Sequence, residues 1–204
     1  FTIYNTHTAV LNINADDAFV ITGTLTLTDG KVNTGTFNAQ GAISQASTFD
    51  GGSATIEFDA AAAQTYTVNG GTTPNIELDS SDDASDSITF TAASSITGIN
   101  TTAGFSGTIP ITNTSDDTLS FTSWTQAAGT IDASAQTAWN VGSFDITGGT
   151  FTPPATVTAN VNFGAWNFDT TETFNNATVA VGNGSWLDIT SGDTLVTTGT
   201  LTLT

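Results

Sequence analysis

Leu11–Thr28 reads LNINADDAFVITGTLTLT, and Leu187–Thr204 reads LDITSGDTLVTTGTLTLT. The two stretches are identical at 11 of 18 positions, with Leu187 answering Leu11 and Thr204 answering Thr28. Self-similarity at a fixed period is the signature of a repeat-built architecture and outranks every local signal. The phrase GTLTLT alternates strictly, with Leu on one face and Thr on the other, the period of a half-buried strand. The first copy runs into the turn dipeptide Asp29-Gly30. The second ends on a strand, and the chain opens on Phe1 without a Met, so the expectation is one module plus an overlap from a longer tandem array.

The same alternation recurs along the chain, in Thr55–Asp59 (TIEFD), Ser87–Thr91 (SITFT), Leu119–Thr122 (LSFT), Thr178–Val181 (TVAV) and Trp186–Ile189 (WLDI). Turn signals at Asn69-Gly70-Gly71, Gly148-Gly149 and Gly182-Asn183-Gly184 separate the runs. Thr, at 44 of 204 residues, is β-branched and favours strands. No window carries the i, i+3, i+4, i+7 apolar spacing of a helix, and the Ala60–Ala63 run is too short to stand alone. A fainter repeat aligns Leu25–Phe58 with Leu119–Phe151, matching GTFNA at Gly35–Ala39 to GTIDA at Gly129–Ala133. Short strands with turns every six to ten residues predict an all-β chain, a right-handed parallel β-solenoid with coils of about 20 residues. The alternative is a string of Ig-like sandwiches of about 90 residues each. The chain reads as one continuous module, 1–204, with 1–28 and 177–204 equivalent and halves near 17–115 and 116–192.

Composition narrows the function. One Lys, no Arg and 19 acids give a net charge of −18. Nucleic-acid binding needs cations to displace counterions from phosphates, and docking on anionic membranes needs them equally. No apolar run approaches the length of a membrane span. With no Cys, disulfides, thiolate metal sites and thiol catalysis are absent. His7 is the single histidine, so a zinc site is not expected, and no Gly-x-Ser-x-Gly elbow or spaced carboxylate pair points to an enzyme. The one metal candidate is calcium at Asp79, Asp82, Asp83 and Asp86, four carboxylates close together but without EF-hand spacing. A solvated loop is the competing reading. Trp124, Trp139, Trp166 and Trp186 are candidates for sugar stacking; in a chain without Met they are expected in the core instead. The phrase Thr24-x-Thr26-x-Thr28 invites an ice-matching Thr rank, which does not recur at coil spacing in the sequence.

The phrases GTLTLTDGKVNTGTFNA, GSFDITGGTFTPPATVTANVNF and TFNNATVAV resemble the repeats of large bacterial surface proteins with β-helix stems, the haemagglutinin-like and autotransporter-like adhesins. That resemblance implies an elongated, secreted, repeat-built stalk and transfers no functional residue. The function expected is therefore a non-enzymatic structural module of an extracellular filament or adhesin stalk, its partner another copy of itself. Phe1, Ile3, Leu201 and Leu203 are the expected joining residues. A glycan-binding adhesin domain is the alternative, and a strand-exchange subunit of sandwich fold is the other.

Overall fold

The structure, a computed structural model, describes residues 1–4, 10–79, 86–115 and 117–159, and beyond them the backbone of six strands; side chains are described up to residue 157. In chain order the strands are β1 (Thr2–Ile3), β2 (Val10–Asn12), β3 (Ala18–Ile21), β4 (Leu25–Leu27), β5 (Lys31–Asn33), β6 (Thr36–Ala39), β7 (Ile43–Gln45) and β8 (Thr55–Phe58). Then come β9 (Thr65–Val68), β10 (Gly71–Leu78), β11 (Ser87–Phe90), β12 (Ser94–Thr101), β13 (Thr108–Asn113), β14 (Leu119–Gln126), β15 (Thr130–Asp132) and β16 (Ala138–Ile146). The last are β17 (Thr150–Thr152), β18 (Thr156–Ala159), β19 (Ala165–Phe168), β20 (Glu172–Phe174), β21 (Thr178–Val181), β22 (Trp186–Ile189), β23 (Leu195–Thr197) and β24 (Leu201–Leu203). Every described strand pair is parallel, and no helix occurs among the described residues. Sandwiches are built from antiparallel strands, so the chain is a parallel β-solenoid of about 21 residues per turn.

Each coil has three faces. Face one is an eight-stranded sheet, β1-β4-β7-β9-β11-β13-β15-β17. Faces two and three are the arms of a bent sheet: β10, β12, β14 and β16 turn a corner in mid-strand, whereas β18 and β19 supply the two arms separately. The corner is visible in the register, which pairs Thr73 with Ile96 and Asn75 with Gly98 but skips Pro74 and Thr97. Thr122 and Gly142 are skipped in the same way. Pro74 lacks an amide proton, and the corner is where its absence breaks no ladder. On face three the register climbs from Ala18 through Thr36, Thr55, Asn75, Gly98 and Ser123 to Ser143. The steps are unequal: the one from Ala18 to Thr36 is the shortest, and the one from Gly98 to Ser123 is the longest.

Alternation places one side chain of each pair inside. Phe37, Ile56, Ile76, Ile99, Trp124 and Phe144 stack in one inward column, all but fully buried. Toward the later coils the core turns aromatic: Trp124 and Trp139 ring centroids lie 5.0 Å apart, Phe121 lies 4.7 Å from Trp139, and Phe144 lies 5.1 Å from Phe151. Trp124 and Trp139 are therefore core residues, as expected; the side chains of Trp166 and Trp186 lie outside the described ones. One buried polar pair inside is tied down. The Tyr66 hydroxyl donates to Gln45 Oε1 at 2.6 Å, and Gln45 Nε2 donates to the Gly70 carbonyl at 2.8 Å. Burial pushes the Tyr66 phenol pKa up, so it stays a neutral donor.

Candidate assembly surface

The exposed large hydrophobic side chains among the described residues all belong to the first coil: Phe1, Tyr4, Val10, Phe19 and Val20. β1, β2 and β3 are the edge strands of their ladders, one on each face. Phe19 caps the inward column, with its ring 6.2 Å from Phe37 and 4.9 Å from Phe1. Phe1, Leu11, Ile13, Asp17 and Phe19 line an open pit of about 350 Å³ there. An edge of unpaired amides and carbonyls over apolar side chains is a template for another strand. Of the expected joining residues, Phe1 is half exposed on this edge and Ile3 turns inward, buried. Leu201 and Leu203 lie on β24, an edge strand of the opposite end; their side chains are outside the described set. The sequence reading misses Phe19 and Val20, because Phe19-Val20-Ile21 looks like core until its place in the first coil is known.

The outer side of face three carries acids in register. Val20, Asn38, Glu57, Glu77, Asn100, Thr125 and Asp145 form one column up the rod. Asn100 Nδ2 donates to Glu77 Oε2 at 2.8 Å, and Gln40 Nε2 donates to Asp59 Oδ2 at 3.1 Å. Partial burial, then the negative charges of Asp79, Asp59 and Glu77, push the Glu57 pKa up to about 7. A raised carboxylate pKa contributes stability that is complete below the unfolded value near 4.5 and is lost as pH climbs through 7. The melting temperature is expected to fall between pH 4.5 and 7.5, and Glu57→Gln is expected to flatten that fall. Thermal melts at the two pH values check it; an unchanged slope in the variant would remove Glu57 as the cause.

The four-Asp calcium candidate divides. Asp79 sits half-buried beside Glu57. Asp86 is buried and accepts a short hydrogen bond from the Gln64 backbone amide, tying successive coils together at the start of face one. Asp82, Asp83 and His7 lie outside the described residues, and among the described ones no metal-holding group of three or more occurs. Above Gly98, the trough between Asn75, Glu77, Asn100, Ser123 and Thr125 has a volume of about 230 Å³ and offers amides, hydroxyls and one carboxylate without an aromatic platform.

Face one differs. Thr2, Thr26, Ser44, Thr67, Thr89 and Thr112 stand in one outward, uncharged column, with Thr112 Oγ1 donating to Thr89 Oγ1 at 3.0 Å. The sequence hides this column because its steps are uneven: the step from Thr26 to Ser44 is much shorter than the one from Thr2 to Thr26. The next coil sets Ser44 between Ala42 and Ala46 where Thr26 stands between Thr24 and Thr28, so the full phrase does not recur there; single Thr/Ser columns do form, this one and Thr108-Thr130-Thr150 farther along the same face.

No family model, curated protein or solved structure matches the chain.

Proposed function

We propose that the chain is a structural module of an extracellular filament or adhesin stalk, joined end to end with copies of itself by strand pairing and core stacking. The observation that carries this reading is that the exposed large apolar side chains among the described residues gather on the first coil, whose strands are ladder edges. The near absence of Lys and the abundance of Thr, Asn, Gly and Ser in the chain support an outside location. The charge of −18 keeps neighbouring rods apart laterally, and salt relaxes that repulsion. No helix among the described residues is long and apolar enough to cross a membrane.

Sedimentation velocity and negative-stain microscopy over about 1–100 μM chain, at low and moderate salt, test the reading. This is the range in which an interface of about 7–8 kcal/mol is populated. Single-file rods that lengthen with concentration are expected, and Phe19→Asp is expected to leave the coil spectrum intact while abolishing them. A chain that stays monomeric throughout would overturn self-association of separate copies. The trough above Gly98 supports a second reading, carbohydrate recognition through Asn75, Asn100 and Ser123. A glycan array on the monomeric Phe19→Asp chain separates the two, because binding there cannot come from filament formation.

A further inference from the structure

The two copies of the repeated phrase do not occupy the same faces. β2 lies on face two: its partner β5 is linked through Gly51 and Phe49 to the first residues of β10. The copy of β2 is β22, which lies on face three, paired to β19 and through it to β16. β3 lies on face three, and its copy β23 pairs with β20, which lies beside β17 on face one. β4 lies on face one, and its copy β24 lies on face two through β21 and β18. All three strands have moved one face onward, as they must if the stretch from Leu11 to Leu187 winds through about eight and a third coils. The fainter repeat makes the same step independently. Thr36–Ala39 on face three matches Thr130–Asp132 on face one, and Leu25 on face one matches Leu119 on face two.

The phrase also has a known occupant. Within the chain, β5, β6 and β7 sit on β2, β3 and β4. β22, β23 and β24 repeat those three strands at the other end and are edge strands there. The coil that fits them is residues 29–46, which holds the only Lys of the chain, Lys31, against one Asp, and is net neutral in a strongly acidic protein. We propose that β22–β24 are the seat for a second copy of residues 29–204, which lays its β5, β6 and β7 on them in the place that β2, β3 and β4 hold within one chain, and stands turned one face about the axis. This rests on the filament reading and gives it a register. Three modules restore the starting face, and each module advances the rod by about 40 Å at the strand spacing of a β-sheet. The acidic column of face three is then shared among three sides of the filament.

Two experiments on the cysteine-free chain test the two halves of the proposal. In the 204-residue chain, the register puts Ala180 opposite Thr202. Ala180→Cys with Thr202→Cys is expected to close a disulfide, whose Cα spacing the sheet supplies, and Thr173→Cys with Thr202→Cys is not. The reverse result would put the copy on its original face and overturn the turn, while leaving filament formation untouched. The second experiment appends residues 29–204 directly after Thr204, with thiols replacing Thr202 and the Ser44 of the added copy. Closure of that pair, with a maximum dimension by X-ray scattering about 40 Å longer, is expected. Failure to close, or no lengthening, would overturn the seat. If the free chain forms filaments while the extended chain fails, separate copies join by another surface, and the seat is again excluded.

Discussion

Gly52→Ala is expected to destabilise the chain by on the order of 3–5 kcal/mol, from backbone strain together with the loss of coil-to-coil hydrogen bonds. Gly52 has φ +123°, a region that side chains rarely enter, and a Cβ there would lie 1.9 Å from the Val32 carbonyl oxygen of the preceding coil. That carbonyl already accepts from the Ala54 amide at 3.2 Å, and the Val32 amide donates to Gly51 at 2.8 Å. Room for a methyl group is therefore made only by lifting one coil from the next. Gly23→Ala is the control: no atom lies within 4 Å of its Cβ position, and the change is expected to fall within about 0.5 kcal/mol. Urea unfolding of both variants checks the pair. A Gly52→Ala chain with the wild-type midpoint would mean that the coils do not meet at Val32.

The second large effect is Trp124→Ala, expected to cost about 3–5 kcal/mol, the usual range for deleting a buried aromatic side chain. Trp124 is fully buried, and its ring meets Phe121, Trp139, Phe144 and Phe151 with centroids 5.0–5.9 Å apart. Trp124→Phe is expected to cost much less, because the indole Nε1 has no hydrogen-bond partner and its removal relieves a buried donor.

Strand identity is legible locally. Thr55–Phe58 and Ser87–Phe90 alternate, and the structure buries their Ile and Phe while leaving Thr, Glu and Ser toward solvent. The parallel solenoid is legible from the repeated phrase and the short spacing between turns. What the sequence hides is everything that depends on which residue lies above which. Steps of uneven length carry no fixed period, so neither the Glu57–Glu77 column nor the Thr/Ser column of face one can be found by counting. Asp86 looks like one of four equivalent acids; the fold turns it inward to hold the Gln64 amide. Phe19 looks like core because only its place in the first coil exposes it. The repeated phrase can be seen in the sequence, but its one-face displacement cannot, because faces exist only after the chain is wound.

The ladders described above all run along the rod, so a load applied to its two ends meets them at an edge. Bonds opened from an edge give way a few at a time rather than all together. Each coil of about 21 residues that peels away shortens the rod by about 4.8 Å and releases roughly 70 Å of extended chain. Under tension the molecule is a yielding tether: it trades a small loss of stiff length for a long travel at low force, dissipates the work coil by coil, and leaves the remaining coils in register as a template for rewinding.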